Sequence, residues 1–289
     1  MTILPHAFGF GAAMSLDAHP YTARSDYREF PVPPELADHF LCLWTQAIAG
    51  SQSEYAHRVL PDGCIDIVFI NDEPPVVVGP WTDPFVARFS PGTKIVGARI
   101  HPGRAPSVLG APSAELLNRS VPLSAMWDSR KLARLARIPD ESDLAARRSL
   151  LAEALCHGLA SATPPDQTVV AGIQWFAHHP HGRVERLSQW IGISNRQLQR
   201  RFAAAVGYGP KMFQSVLRFQ RLLNCAGRKA ARYTLAELAL NAGYTDQAHM
   251  TREVRRFANC PPTVLLRSAE CTLRLSDLFK TGDLSPNHL

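Results

Sequence analysis

Short apolar runs between Pro, Gly and Asp turn residues mark the first hundred residues of the chain. The runs CIDIVFI, PVVVG, FVARF and KIVGARI have the length of strands. They predict an antiparallel sheet, sandwich or barrel that extends to about residue 106. We therefore expect a β-rich, barrel-like N-terminal domain with accessory helices.

The apolar pattern becomes helical between residues 112 and 159. APSAELLNRSVPL predicts a short helix with a serine cap. SDLAARRSLLAEALCHGL places Leu144, Leu151, Leu155 and Leu159 on one face of a longer helix. This leucine face could pair two copies of the chain, or it could pack against the chain's own strands.

The segment ASATPPDQ is small, polar and twice interrupted by proline, which makes it the best linker candidate. We therefore expect an N-terminal domain at residues 1–160, a linker at 161–168, a helical domain at 169–271 and a tail at 272–289. The expected fold class is multi-domain α+β, with an all-α C-terminal domain of two helix-turn-helix subdomains joined by a long helix.

The helical domain repeats one local pattern about fifty residues apart. In the first copy, VERLSQWIGI is an amphipathic helix that ends at Gly192. Ser194 then begins a capping box for the next helix, which keeps Leu198 and Phe202 as core contacts four residues apart. Two helices joined by a short turn that contains Gly predict a helix-turn-helix unit.

The second copy follows in LAELALNAGYTDQAHMTREV. It has Gly243 at the turn, Thr245 or Asp246 as the cap, and Met250 and Val254 as the core contacts. The second helix of such a unit enters the major groove of DNA. Two units held by the helix PKMFQSVLRFQRLLNCAG could meet two successive grooves about 34 Å apart.

The charge distribution favours the same partner. The chain carries a net charge of +6, but residues 169–271 hold 15 Lys and Arg against 5 Asp and Glu, so this region carries +10 and the remainder −4. Most of this positive charge is arginine, whose guanidinium matches phosphate oxygens and guanine edges. Nucleic acid is therefore the leading partner.

At these residues the chain resembles the AraC/XylS family of bacterial transcription regulators, over residues 169–268. The second copy resembles the family's signature from Ala239 to Pro262, and the first copy from Leu187 to Arg218. Asn259 stands where the family usually has Gly, and Met250 and Val254 stand where it usually has Phe. The resemblance implies that the helices of the two units read bases through Arg196, Gln199, Arg200, Gln247, His249 and Arg252.

The chemistry of these side chains fits the roles that the resemblance implies. Arg196 or Arg200 could bind guanine through two hydrogen bonds, and Gln199 and Gln247 suit adenine. A second set would contact phosphates, which position the protein without specifying sequence. The candidates for phosphate contacts are Asn195, Arg201, Lys211, Arg255 and Arg256.

The N-terminal half also resembles a domain found in a subset of these regulators, through HRVLPDGCIDIVFIND, VVGP and VGARIHPG. In related regulators a small β-barrel binds an effector, and we expect a pocket with mixed apolar and polar walls here. The candidate pocket residues are Trp44, Arg58, Phe69, Trp81 and Arg99.

A rival interpretation is a metal-binding sensor or a metal-dependent enzyme built on the N-terminal barrel. His57, Cys64, Asp66 and His101 are of the types that bind metals, but they lack the usual ligand spacing. The six cysteines form no CxxC pair and indicate reduced thiols. A third interpretation is DNA packaging without sequence specificity.

The favoured expectation is a cytoplasmic bacterial transcription regulator that is not an enzyme and uses no metal or cofactor. Its partners would be double-stranded DNA, a small-molecule effector, RNA polymerase and a second copy of the chain. The sequence contains no apolar run near the roughly 20 residues that cross a bilayer, so no membrane association is expected.

Overall fold

A computed structural model describes residues 25–50, 54–159, 162–229 and 233–266. The predicted tail at residues 272–289 lies outside these ranges. Within them, a β-rich N-terminal region precedes a C-terminal region of helices and turns. This arrangement confirms the α+β fold class, while the domain boundaries predicted from the sequence stay predictions.

The described N-terminal residues contain eight short strands. They are β1 (Ser25–Phe30), β2 (Phe40–Ile48), β3 (Tyr55–Val59), β4 (Ile65–Ile70), β5 (Val76–Val78), β6 (Phe85–Phe89), β7 (Lys94–Ile100) and β8 (Ser120–Pro122). Six of them form an antiparallel sheet in the order β1-β2-β7-β4-β5-β8, and β3 pairs with β6 in a separate antiparallel ribbon.

The two sheets do not close into a barrel, which corrects the barrel-like expectation. Closure requires the two edge strands of a sheet to pair with each other. In the described residues β1 pairs with β2 and β8 pairs with β5, but no ladder joins β1 to β8. Strand β8 has three residues and ends in Pro122, whose nitrogen carries no hydrogen for a further ladder.

The larger sheet is buried on both faces, and the residues of β4 alternate between the two cores that lie on these faces. Ile67 and Phe69 point into a core that helices cover, whereas Val68 and Ile70 point into a second core under the β3–β6 ribbon. Successive residues of a strand face opposite sides, so the unbroken apolar run IDIVFI supplies both cores. Burial on both faces explains why this strand lacks polar alternation.

Helices cover the first of these faces. They are α1 (Ala105–Leu109), α2 (Ser129–Ala133) and α3 (Leu144–Leu159). Leu151 and Leu155 of α3 are almost fully buried in the core that includes strands β2 and β7. The leucine face predicted from the sequence therefore packs against the chain's own sheet.

The segment after residue 112 differs from the helix that the sequence predicted. A short 3₁₀ turn at Ser113–Leu116 is followed by Asn118 in the left-handed region and then by β8. The Gly79 amide donates to the Arg119 carbonyl at 2.9 Å, which extends the pairing of this segment with the sheet. Tertiary pairing thus overrides the local helical pattern.

The C-terminal region contains seven helices in its described residues. They are α4 (Gln167–His178), α5 (Val184–Ile191), α6 (Asn195–Val206), α7 (Pro210–Lys229), α8 (Leu235–Ala242), α9 (Gln247–Ala258) and α10 (Pro262–Leu265). The sequence predicts helices at about 169–178, 184–191, 195–205, 210–226, 234–241, 247–257 and 262–267, and each of the seven lies within a few residues of one of these ranges. No helix in the described part of the chain combines the length and apolar character needed to cross a membrane.

The two turns that define the repeated pattern have the expected geometry. Gly192 ends α5 with a φ of 79°, and Gly243 ends α8 with a φ of 94°, in the left-handed region that favours glycine. Ser194 and Gln197 form the predicted capping box at the start of α6. Asp246 caps α9 by accepting a hydrogen bond from the His249 amide at 2.7 Å.

The N-terminal sheet and the C-terminal helices contact each other directly. Leu60, just after β3, is buried in the core of the helical region. The Ser113 hydroxyl donates to the Ala205 carbonyl at 2.8 Å, and the Gln220 side-chain amide donates to the Pro61 carbonyl at 2.7 Å. Both hydrogen bonds are buried, so the two regions share a continuous interior.

Candidate DNA-binding surface and N-terminal cavity

The helix α6 presents one apolar face and one polar face. Leu198 and Phe202 are fully buried among the other helices. The helical period then places the polar side chains of the same helix on the opposite face. The exposed residues of this face include Asn195, Arg196, Gln199, Arg200 and Arg201, all of which the sequence selected as candidates.

Two of these candidates are engaged within the protein. The Arg201 guanidinium lies 2.7 Å from the carboxylate of Asp166, which also caps α4. The Gln199 side chain lies over Gly209, so closely that a Cβ at this glycine would come within 2.0 Å of the Gln199 amide nitrogen. Arg196 and Arg200, in contrast, project into solvent from the first and second turns of α6.

The helix α9 is built in the same way, with Met250 and Val254 fully buried. On its polar side Gln247, Arg252, Arg255 and Arg256 are exposed. Gln247 and Arg252 are candidates for base contacts, and Arg255 and Arg256 are candidates for phosphate contacts.

His249 differs from the other candidates because it is half-buried. Its Nδ1 lies 3.1 Å from the hydroxyl of Thr245, and its Nε2 lies 3.5 Å from the carboxylate of Glu253. Its ring meets Tyr244 edge-on at a centroid distance of 5.3 Å. These contacts fix the imidazole beside the turn of the second unit, so a base contact through His249 would require it to rearrange.

A polar network that the sequence did not single out joins α9 to the long helix α7. The Glu253 carboxylate accepts hydrogen bonds from Arg218 at 3.0 Å and from Ser215 at 2.7 Å. Both charged side chains are largely buried, with exposures of 11% for Arg218 and 16% for Glu253. Arg218 belongs to the family signature in the sequence, but its role depends on partners that only the fold brings together.

A second arginine of α7, Arg221, attaches this helix to α4. The Arg221 guanidinium donates to the carbonyls of Phe176 and Ala177 at 2.6 and 2.8 Å, at the C-terminal end of α4. Burial, with a smaller effect from Arg218, lowers the pKa of Arg221 to about 10. The helix α7 is thus attached to α9 of the second helix-turn-helix unit and to α4, the helix that precedes the first unit, by arginines about one turn apart.

A cationic cleft of about 340 Å³ lies between the two units. The start of α5 contributes Arg183, α7 contributes Lys211 and Arg218, and α9 contributes His249. Lys211 is exposed here, on the side where α5 and the turn before α9 approach each other. This position suits the phosphate contact that the sequence assigned to it.

A partly open cavity of about 110 Å³ lies at the N-terminal strands. This volume is several times the roughly 10–15 Å³ that one buried water needs. The sheet and the β3–β6 ribbon form most of the wall. The helix α7 completes it with Gln220 and Leu223, so the cavity lies between the N-terminal strands and the helix that joins the two DNA-reading units.

Of the five pocket residues predicted from the sequence, Trp44 and Arg99 line this cavity. The other three lie elsewhere. Phe69 points to the opposite face of the sheet, Trp81 packs against Phe85 at a ring distance of 4.2 Å, and Arg58 reaches the thiol of Cys260 at 3.5 Å. The sequence identified Phe69 by residue type, whereas strand alternation decides which face it occupies.

The polar end of the cavity is organised around Asp66. Its Oδ1 accepts hydrogen bonds from the Trp44 indole at 2.8 Å and from the Arg99 guanidinium at 3.2 Å. Arg99 also approaches Glu29 at 3.5 Å and Asp62 at 4.0 Å. Burial raises the pKa of Asp66, and the positive charge of Arg99 opposes that rise.

The histidines considered as metal ligands, His57 in β3 and His101 after β7, are half-buried. Burial, reinforced by Arg99, lowers the pKa of His57 to about 4, and burial with Arg104 lowers the pKa of His101 to about 4. Burial also raises the pKa of the Cys64 thiol well above its usual value. Within the described residues, no three His, Cys, Asp or Glu side chains converge as they would around a metal ion.

Comparisons with known proteins fit this geometry. Residues 187–268 match a helix-turn-helix domain, and residues 28–122 match a domain of unknown function (DUF6597). A search of curated proteins found no match.

Solved structures of ToxT from Vibrio cholerae are among those similar to the chain. The alignment with the apo form of ToxT K231A from strain SCE256 has 10% sequence identity and a TM-score of 0.41. It covers 86% of this chain and 98% of that chain. ToxT from strain O395 is 9% identical, with 85% and 97% coverage and a TM-score of 0.40. Wild-type ToxT from strain SCE256 with an unsaturated fatty acid bound is 10% identical, with 87% and 97% coverage and a TM-score of 0.40.

The family match covers both repeated units, from the buried Leu187 of α5 to beyond α10. The C-terminal region of the chain is therefore an AraC-type helix-turn-helix domain, and it follows an N-terminal domain of unknown function.

Proposed function

We propose that this protein is a sequence-specific DNA-binding transcription regulator whose DNA affinity changes when a small molecule occupies the N-terminal cavity. One observation carries the proposal. The helix α7 joins the two helix-turn-helix units and also supplies Gln220 and Leu223 to the wall of the cavity.

The proposed base contacts come from the exposed polar faces of α6 and α9. Arg196 and Arg200 would bind guanine, because a guanidinium can donate to both O6 and N7. Gln199 would bind adenine, after its side chain leaves Gly209.

In the second unit Gln247 and Arg252 supply the same two chemistries from exposed positions. His249 is the third proposed reader of this unit. In the unbound protein its ring instead contacts Thr245, in the turn before α9, and Glu253, one turn further along α9.

The proposed phosphate contacts surround these readers. Asn195, Lys211, Arg255 and Arg256 are exposed and would position the protein on the backbone without reading sequence. Arg201 would have to give up its ion pair with Asp166 before it could bind a phosphate, because the Asp166 carboxylate competes for the same guanidinium.

The coupling between cavity and DNA follows from thermodynamic linkage. A ligand shifts an equilibrium only if it binds the two conformations with different affinity. A molecule in the cavity would contact α7 through Gln220 and Leu223, and α7 holds α9 through the Arg218–Glu253 pair. A displacement of α7 would therefore change how the second unit is presented relative to the first.

RNA polymerase and a second copy of the chain are further proposed partners, which follow from the family resemblance alone. Leu151 and Leu155 of α3 are buried in the protein's own core, and Leu150 and Leu159 pack against it. A homodimer would therefore use a different surface, and sedimentation of the full chain with and without operator DNA tests for one.

The proposal is tested by mapping genome-wide binding sites in cells and measuring the purified protein on the recovered duplex. Specific binding should exceed binding to random duplex by about 10³-fold or more at physiological salt. Equal affinity for both duplexes would exclude specific regulation and favour DNA packaging.

A further inference from the structure

The cavity wall away from its polar end is apolar. Val59 and Phe85 on the ribbon, Ile95 on the sheet and Leu223 on α7 all face this space. An apolar wall of this kind, with a few convergent polar groups, is typical of small-molecule sites. The volume of about 110 Å³ suits one ring or a short chain rather than a large ligand.

The polar end contains more negative than positive groups. Asp62 and Asp66 line the cavity, and Arg99 is the only Lys or Arg among the described lining residues. Arg99 is shared between these two carboxylates and Glu29, at distances from 3.2 to 4.0 Å. His57, which also lines the cavity, is neutral at pH 7 because burial and Arg99 lower its pKa to about 4.

The guanidinium is therefore already matched by carboxylates. An anionic ligand would have to displace one of them and would then lie close to the others in a largely buried site. Charges of like sign repel more strongly in such a site than in bulk solvent. A cation placed beside Asp62, whose Oδ2 lies 4.0 Å from Arg99, would instead reduce the excess of negative charge.

The long helix adds an acceptor to the same wall. Gln220 is 3% exposed and donates its amide hydrogen to Pro61. The carbonyl oxygen of the same side-chain amide is a hydrogen-bond acceptor on this wall of the cavity. A buried acceptor favours a ligand that donates hydrogen bonds.

We infer that the cavity binds a small molecule that combines an apolar body with a cationic, hydrogen-bond-donating head, as in a primary ammonium, and that it discriminates against carboxylates. The ammonium would lie between Asp62 and Asp66, and the apolar body would lie along the ribbon and Leu223. This inference rests on the proposed function, because it specifies the effector class for the same cavity.

Three probes of matched apolar body test the inference: 2-phenylethylamine, 2-phenylethanol and phenylacetate. Their binding to the full chain is measured by calorimetry at pH 7. We expect the amine to bind at least about tenfold more tightly than the carboxylate, with the alcohol between them, since each tenfold step reflects about 1.4 kcal/mol.

The variant Asp62→Asn removes one negative charge and keeps a side-chain oxygen for its hydrogen bond to the Cys64 amide. It should weaken the amine about tenfold and leave the alcohol nearly unchanged. Asp140→Asn, at an exposed position outside the cavity, is the matched control and should change neither. Val59→Phe fills the cavity and should abolish binding of all three probes while thermal unfolding stays cooperative.

In the binding experiment, tighter binding of phenylacetate than of the amine, or no binding of any probe, would overturn the inference. Operator affinity measured with the same probes separates this inference from the proposed function. An amine that binds but leaves operator affinity unchanged would refute effector control and retain the cavity chemistry. An operator response to the carboxylate alone would refute the cavity chemistry and retain effector control.

Discussion

Gln220 donates a buried hydrogen bond of 2.7 Å to the backbone carbonyl of Pro61. The donor belongs to the helix that joins the two DNA-reading units, and the acceptor follows the first strand of the ribbon that covers the cavity. This single contact therefore ties the DNA-binding region to the wall of the proposed effector site.

Replacing Gln220 tests that link. Gln220→Leu leaves the buried Pro61 carbonyl without its donor, which should lower the free energy of unfolding by about 1–3 kcal/mol. The effector-dependent change in operator affinity should also shrink, because one of the contacts between the cavity wall and α7 is lost. Urea denaturation and fluorescence anisotropy on operator DNA measure the two effects.

Gln189→Leu provides the control, since Gln189 is exposed on α5. Its unfolding free energy should stay within about 0.5 kcal/mol of the wild type. A Gln220→Leu protein with full stability and a full effector response would show that the contact is incidental.

The exposed arginine at the centre of α6 should distinguish base contact from phosphate contact. Arg200→Ala should weaken binding to the operator by about 5- to 150-fold, which corresponds to about 1–3 kcal/mol, and should change binding to random duplex far less. Competition anisotropy with both duplexes measures this. Arg130→Ala, on α2 in the N-terminal region, is the control for loss of one positive charge. Equal losses on both duplexes would assign Arg200 to the phosphate contacts.

The buried pair of Arg218 and Glu253 should contribute more to the free energy of unfolding than the exposed Arg252 of α9 does. Arg218→Ala leaves Glu253 buried without its charged partner, and breaking such a pair costs about 3–5 kcal/mol. Arg252→Ala, on the exposed face of α9, should change the unfolding free energy by less than about 0.5 kcal/mol. It should nevertheless reduce operator affinity. Equilibrium urea unfolding of the two variants makes the comparison. Similar stabilities would mean that solvent already screens the Arg218–Glu253 pair.

Half-buried His57 should make the protein less stable as the pH falls. Its pKa is about 4 in the folded protein because burial and then Arg99 disfavour the charged ring, whereas an unfolded histidine titrates near 6.5. The unfolded state therefore binds more protons between these values, and stability is present above pH 6.5 and is lost as the pH falls toward 4. The loss from this residue should reach about 2 kcal/mol by pH 5.

His57→Gln should flatten the stability profile between pH 7 and pH 5, as measured by urea unfolding at several pH values. His101→Gln should act in the same direction, because the pKa of His101 is also lowered to about 4. A variant whose profile parallels that of the wild type would show that His57 is already solvated in the native state.

The helix-turn-helix region illustrates how far local sequence signals reach. Gly192, Ser194 and Gln197 specify a helix end and a capped helix start within a few residues of each other. The apolar spacing of Leu198 and Phe202 then fixes which face of α6 is buried. All of these signals are local, so the boundaries and faces of the helices could be predicted before the fold was known.

The N-terminal region was less predictable because its decisive interactions are distant in sequence. The run IDIVFI predicts a strand but does not show which residues face the cavity, since both faces of β4 are buried. Trp44, Asp66 and Arg99 come from three strands that pair only in the folded sheet. Of the predicted pocket residues, Trp44 and Arg99 line the cavity and Phe69 lies on the other face of the sheet, while the effector pocket itself stays a prediction.

Local sequence was enough to define the two helix-turn-helix units, their polar faces and the positive charge around them, because capping, helical period and composition act over a few residues. Folding of the whole chain was needed to bring Gln220 and Leu223 of α7 to the N-terminal cavity and to anchor Glu253 of α9 to Arg218. Those contacts join segments up to 159 residues apart, and no local pattern in a single chain specifies which distant partners a buried side chain will meet.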